Sequence, residues 1–233
     1  RCQHLVRENG GMVIQDCAVT EVLFDDGFGG DDPGQGTGDL RHAKGVVVKI
    51  GGRNGEERTY YSSEIVGAAG YNCPVAKAVV KDSFSEEMVD NMHYCGGYRE
   101  YWRNVKGCEG GVGDIEIHFV DSVVPGYFWI FPVNDDVANV GIGLVIGLLK
   151  KEKKKLKALQ KDVIEPHPLF KERFADAEML EGSGKGWQLP FGSPRKKEAN
   201  QPRRASMRGI RLVGDSASLV DPFSGEGVGN ALV

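Results

Sequence analysis

Cysteine is scarce: Cys2, Cys17, Cys73, Cys95 and Cys108 are the only five in 233 residues, and no two form a C-x-x-C pair. An odd, scattered set excludes a disulfide scaffold and points to reduced thiols in a cytoplasmic protein. The five histidines show no metal-ligand spacing, so no metal site is expected. No apolar run reaches the roughly 20 residues that a bilayer-spanning helix needs. Positive charge is not in excess: 29 Lys and Arg stand against 33 Asp and Glu. A net charge of −4 leaves no electrostatic case for nucleic acid. A G-x-G-x-x-G fingerprint after a strand is also missing. Residues Gly27 to Gly38 are glycine-rich, but their Asp and Pro content and the lack of a following helix make them a loop. The chain starts without Met or a signal-like apolar segment and stops at Val233 inside a predicted helix, so both ends read as cut from a longer protein.

What is present concentrates at the C-terminal end. Ile210 to Val213 reads as a buried strand, followed at once by Gly214-Asp215. Pro222-Phe223-Ser224 and the turn Gly225-Glu226-Gly227-Val228-Gly229 then lead into a helix at Asn230. Glycines let backbone approach a ligand closely. A helix start offers free N–H groups to an electron-rich group, and Asp215 past the strand end is placed to accept hydrogen bonds from sugar hydroxyls. A nucleotide-type cofactor between acid and amides follows. A second stretch, Ile65 to Lys77, reads as strand, small-residue turn (Gly67-Ala68-Ala69-Gly70) and helix start. Cys73 within it has no His or Asp at a telling spacing and reads as a small buried thiol. No catalytic residue is assignable.

The third stretch bears on substrate. As a strand, Tyr127 to Pro132 sets Tyr127, Trp129 and Phe131 on one face and Phe128 and Ile130 on the other. The next strand, Ala138 to Ile146, carries Gly141 and Gly143 on one face, a bare groove beside aromatics. Ordinary sheet core is one account of such a row; a wall for a long, unsaturated, apolar ligand is the other.

Between these stretches, residues 1–9 read as a helix closed by Gly10-Gly11, and residues 12–24 as two short strands. Strands at 45–50 and 57–61 would complete an antiparallel meander. Residues 85–90 start a helix with Ser85 as N-cap. Tyr98, Tyr101, Trp102 and Val105 fall at helical spacing. Ile115, Ile117 and Phe119 alternate with Glu116 and His118, which predicts a strand with His118 on its solvated side. Residues 150–166 form a helix whose opening run, Lys150 to Lys155, is a solvated face or a contact for an anionic membrane surface.

The spacing G-D-(x)6-P followed by F-S-G-E-G (Gly214 to Gly227) resembles the second FAD-binding motif of flavoproteins related to p-hydroxybenzoate hydroxylase. In its fuller form it looks like their geranylgeranyl reductase branch. Y-x-W-x-F-P followed by G-x-G is similar to that branch's substrate signature at Tyr127, Trp129, Phe131, Pro132, Gly141 and Gly143. The Ile65 to Lys77 stretch resembles the family's middle motif but departs from it: Ala69 replaces the usual aspartate, Cys73 a serine and Lys77 an arginine. Leu189 to Gly192 resembles a segment that the family places beneath its flavin ring.

The resemblance implies an α/β fold (α+β overall), with a glutathione-reductase-type FAD-binding domain that carries a β-meander and is interrupted by an antiparallel-sheet substrate domain. Residues 1–82 and 206–233 would form the first and 83–205 the second. FAD would contact Gly67, Ala68, Gly70, Gly214, Asp215, Pro222, Gly225, Glu226, Gly227, Val228 and Gly229, with NAD(P)H or ferredoxin as electron donor. The implied activity is hydride transfer from reduced FAD to carbon–carbon double bonds of a prenyl lipid or other isoprenoid, in a cytoplasmic protein with peripheral membrane contact. A flavin-dependent monooxygenase or halogenase, and a non-catalytic lipid-binding relative, are the alternatives.

Overall fold

A computed structural model describes residues 2–25, 41–52, 54–86, 90–111, 113–192 and 203–232; the glycine-rich loop at 27–38 lies outside them. The chain divides into two units, residues 1–88 with 203–217 and residues 89–202 with 218–233.

In the first unit, α1 (Cys2–Glu8) ends before Gly10, whose φ of 77° is the left-handed conformation that glycine adopts without strain. β1 (Cys17–Asp25), β2 (His42–Ile50) and β3 (Glu56–Tyr61) pair antiparallel in chain order. Where two short strands are expected over residues 12–24, there is one. Register shifts between Val19 and Glu21 and between Leu23 and Phe24 break its alternation and hide the period from a sequence count. β4 (Ile65–Gly67) lies parallel to the strand Ile210–Leu212, in the register Ile65↔Ile210 and Gly67↔Leu212. α2 (Pro74–Lys77) opens on proline, whose fixed φ suits a first helical position, and continues as a π-helical turn over Ala78–Ser83. Val22, Val75, Val79, Val80, Ile210 and Leu212 form the core.

The second unit is built on β5 (Tyr94–Arg103), β6 (Glu116–His118), β7 (Tyr127–Pro132) and β8 (Val137–Val145). Then follow α3 (Ile146–Lys151), α4 (Leu156–Ile164), α5 (Pro168–Arg173), β9 (Glu178–Met179) and β10 (Lys185–Pro190). The sheet order is β10-β5-β8-β7-β6, antiparallel throughout, with β9 added to β5.

Three sequence expectations are corrected here. The helical spacing of Tyr98, Tyr101 and Trp102 belongs to strand β5, because aromatic side chains and Gly96-Gly97 disfavour a helix and partners on both edges satisfy the strand's amides. Ser85 takes φ 55°, not the extended conformation of an N-cap, and residues 87–89 of the helix expected at 85–90 lie outside the described residues. The helix expected over 150–166 is split into α3 and α4, with Lys153 at φ 52° between them; like charges at helical spacing in the lysine run oppose its continuation.

One sheet face is the core. Phe128, Ile130, Val140 and Ile142 are fully buried there against Leu159, Val163 and Phe170, and the Phe128 and Phe170 rings lie 4.9 Å apart. β6 reverses the expected polarity: Ile115, Ile117 and Phe119 are exposed, while Glu116 and His118 turn inward. Arg173 on α5 explains this. It grips the Glu116 carboxylate with two guanidinium nitrogens, one at 2.8 Å. His118 Nε2 lies 2.9 Å from the same carboxylate, and its ring stands edge-on to Phe170 at 4.9 Å. Partial burial alone would raise the Glu116 pKa, but the bonds from Arg173 and His118 outweigh it and leave it below its ordinary 4.5.

A depressed carboxylate pKa stabilises the fold above the ordinary pKa, and the contribution fades as pH falls through the lowered value. Glu116→Gln is therefore expected to cost on the order of 1 kcal/mol at neutral pH, after allowance for solvent screening. The gap between wild type and variant should close below about pH 4.5, as read from urea denaturation across pH.

Candidate functional site

Two groups of the singled-out residues come together, one within each unit. In the first unit, parallel pairing brings the C-terminal ends of two strands side by side, the position where open α/β sheets bind ligands. Gly67 ends β4, and its carbonyl accepts a hydrogen bond from Val213 N at 3.1 Å. Gly214, at φ 54°, and Asp215 open a tight turn over Gly214–Ala217. Ser216 Oγ donates to Gly70 O at 3.1 Å and ties the two turns together. Gly67 is bare for packing: a Cβ there would lie 2.7 Å from Leu212 Cδ2 and 3.1 Å from Val75 Cβ. Asp215 is half-buried, which raises its carboxyl pKa above the ordinary 3.8. Among the described residues no donor meets that carboxylate, a site suited to hydroxyl donors from a ligand.

In the second unit, the glycine turn is attached to the aromatic strand. Tyr127 Oη donates to Ser224 O at 2.6 Å. Gly225 takes φ 71°, and a Cβ there would stand 2.7 Å from the Tyr127 hydroxyl, so only glycine fits. Asp221 Oδ1 accepts from Ser224 N at 2.6 Å and Phe223 N at 3.1 Å, which shapes the turn and holds its pKa down. Leu189 to Gly192 supports it from β10: Gly192 N donates to Val220 O, and Val220 N to Pro190 O. The Glu226 carboxylate bonds Gly229 N at 2.7 Å. It thus caps the short α6 (Val228–Leu232) from within, and that amide is engaged by the protein's own acid.

Tyr127, Trp129 and Phe131 line one face of β7. The Trp129 centroid is 6.0 Å from that of Tyr127, edge-on, and 6.0 Å from that of Phe131, stacked. Trp129 Nε1 donates to Asn139 Oδ1 at 3.0 Å. The groove expected over Gly141 and Gly143 is not bare. The Trp129 indole lies on Gly141, where a Cβ would clash with the ring atoms, and it also approaches Gly143. The open floor is one strand further over, at Gly97, where a Cβ would meet nothing within 4 Å. By strand alternation Pro132 faces the opposite side of the sheet, against Gly113.

These residues bound a cavity of about 210 Å³ lined by Cys95, Tyr127, Trp129, Phe131, Phe223 and Gly225 among others, with no charged side chain among the described residues of its wall. Burial pushes the Cys95 thiol up to about 11 and, with Cys95 beside it, also raises Tyr127. Both side chains stay neutral at physiological pH, and the cavity suits a hydrocarbon. Sequence reasoning missed Cys95 and Asn139. Asn139 had a signal, being two residues before Gly141 and so on the same face; Cys95 had none, since only cross-strand pairing with Val145 brings it there.

Residues 96–182 match the family described as geranylgeranyl reductase catalytic domain. The digeranylgeranylglycerophospholipid reductase of Thermoplasma volcanium is 35% identical over 116 residues, 49% of this chain and 26% of that protein. The geranylgeranyl diphosphate reductase of Synechocystis sp. is 29% identical over 181 residues, 77% of this chain and 38% of that protein. This chain thus spans well under half the length of these curated relatives. Among solved structures, a geranylgeranyl bacteriochlorophyll reductase-like protein of Thermoplasma acidophilum superposes with a TM-score of 0.69 at 21% identity, covering 98% of this chain and 48% of that one. A myxobacterial chondrochloren halogenase, an FAD-dependent enzyme, gives 0.65 at 23% identity, covering 96% and 45%. The fold is therefore the mixed sheet-and-helix fold of FAD-dependent oxidoreductases and halogenases. Motifs, catalytic-domain match and curated relatives agree in one direction: residues 96–182 of this chain are similar to the catalytic domain of geranylgeranyl reductases, and the relatives it matches are reductases of prenyl chains by name.

Proposed function

We propose that the protein reduces carbon–carbon double bonds of a prenyl chain carried on a lipid or isoprenoid, with FAD as cofactor. The observation that carries this reading is the attachment of the glycine turn to an uncharged aromatic cavity, through Tyr127 Oη and Ser224 O, within one unit. When bound, reduced FAD supplies hydride. The residues present fit it in two respects. Asp215 is a half-buried acceptor without a protein donor among the described residues, suited to ribityl or sugar hydroxyls. The turn from Gly225 to Gly229 offers backbone that side chains cannot crowd. Gly67, Ala68, Gly70, Gly214 and Asp215 would hold one part of the cofactor; Pro222, Gly225, Glu226, Gly227, Val228 and Gly229 another. The Glu226–Gly229 bond means this helix start contributes less free N–H than its sequence suggests.

Tyr127, Trp129, Phe131, Gly141 and Gly143 would shape the wall that excludes water and aligns the chain, with Pro132 bracing the strand from behind. The organisation we infer is an FAD domain, 1–82 and 206–233, interrupted by a substrate domain, 83–205. A first unit that is itself discontinuous in sequence, 1–88 with 203–217, supports the interruption, while residues 218–233 group with the second unit. NAD(P)H or ferredoxin is the electron donor in this reading. Among the described residues no helix is long and apolar enough to cross a membrane, and surface contact through the lysines at 150–155 would give access to a lipid-borne chain. Halogenases that share the fold keep oxygen chemistry as the rival reading.

The test is mass spectrometry of prenyl lipids turned over by the protein expressed with its flanking sequence. A gain of two hydrogens per reduced bond is expected; oxygen or halogen incorporation would replace the proposal with the rival. Asp215→Ala should weaken FAD retention by roughly 10- to 100-fold, the worth of hydrogen bonds to a charged acceptor, as measured by flavin titration. Gly141→Ala should push the Trp129 indole off its seat, shift tryptophan emission to the red and lower turnover about tenfold, with flavin content unchanged.

A further inference from the structure

We propose that Arg99 and Lys185 form the subsite for a phosphate or diphosphate group at the head of the substrate whose hydrocarbon occupies the aromatic cavity. This rests on the prenyl reductase reading above. Arg99 and Lys185 are directly opposite one another across the β5–β10 pair. Their row continues through Gly141 and Trp129 to Ile117, so both cations project from the aromatic face. Like charges at directly opposed positions destabilise a strand pair. Among the described residues no carboxylate forms an ion pair with either cation, so none of these residues compensates their like charge.

A second cavity of about 480 Å³ lies over this pair, lined by Arg99, Lys185, Trp187, Gly97, Trp129 and Leu189 among others. Gly97, Trp129 and Leu189 line the aromatic cavity as well, which makes the two one continuous groove across the sheet. Gly97 forms its open floor. From β7 to β10 the groove crosses three strand spacings, roughly 14 Å at about 4.8 Å each. One end is uncharged and aromatic; the other is doubly cationic. That polarity fits a single amphiphile with an anionic head.

Arg99 is set in place beforehand. Its Nη1 donates to Ser183 O at 2.7 Å, and its guanidinium lies 4.4 Å over the Tyr101 ring. The remaining N–H groups keep the planar fork that matches phosphate oxygens, and Lys185 adds a mobile point charge from the neighbouring strand. Ser183 Oγ also accepts from Tyr101 N at 2.9 Å, so the turn before β10 holds both residues of the cation's seat.

The experiment measures equilibrium binding to the protein expressed with its flanking sequence, by calorimetry. The probes are geranylgeranyl diphosphate, digeranylgeranylglyceryl phosphate, the neutral alcohol geranylgeraniol and inorganic diphosphate. Wild type should bind at least one phosphorylated prenyl compound tenfold or more tightly than the alcohol, and the compound preferred tells a free diphosphate from a lipid headgroup. The Arg99→Gln/Lys185→Gln double variant should erase that preference and leave alcohol affinity unchanged. Arg99→Lys/Lys185→Arg should keep the preference, which separates charge from packing. A preference that survives in the Gln double variant, or an equal loss for alcohol and phosphorylated compounds, overturns the subsite. If no prenyl compound binds wild type, the prenyl reading fails instead. Inorganic diphosphate then decides the subsite alone: binding that the Gln variant loses upholds it, and no binding overturns it.

Discussion

A missing side chain at Gly141 controls the face of the sheet that matters. Because no Cβ stands there, the Trp129 indole lies down on β8 instead of standing away from it, with its N–H held by Asn139. From that position it stacks on Phe131 and meets Tyr127 edge-on, contacts worth about 0.5–1.5 kcal/mol per pair beyond area burial. Tyr127 in turn holds the glycine turn through Ser224. The aromatic wall and the turn thus form one chain of contacts, and its first link is a glycine that makes room for a ring.

The two faces of the same sheet show how one strand serves stability and function together. Phe128, Ile130 and their neighbours bury against α4 and α5, while the side chains between them meet a charge-free cavity. β6 carries the division to its edge. Burying Glu116 would be costly by itself, but Arg173 and His118 satisfy the carboxylate, so Ile115, Ile117 and Phe119 turn out to the other side. A hydrophobic row facing outward and a carboxylate facing inward invert the usual pattern, and the cause is the partner on α5.

The turn at the strand ends and the cavity on the sheet offer different surroundings. The turn at Gly214–Ala217 offers an acid at the ends of parallel strands, suited to hydroxyl groups. The cavity beside Tyr127 offers hydrocarbon and neutral, protonated groups, suited to an uncharged chain. A halogenase shares the fold, so the scaffold by itself does not set the chemistry.

How much could be read without a structure follows from range. Motifs whose residues act locally were legible: the meander strands from valine-rich alternation, the corner from Gly214-Asp215, the aromatic strand from its period of two. What failed depended on partners far along the chain. Helical spacing at Tyr98 to Val105 yielded to pairing with β8 and β10, since ladder hydrogen bonds outweigh a four-residue coincidence of spacing. The polarity of β6 depended on Arg173, 57 residues away. The floor of the groove moved from Gly141 to Gly97 because an indole from β7 filled the first. Composition and local pattern alone determined the family resemblance, the meander and aromatic strands, and the apolar character of residues 127–131. Tertiary structure decided which face each residue serves, because facing is set by contacts between segments that only folding brings together.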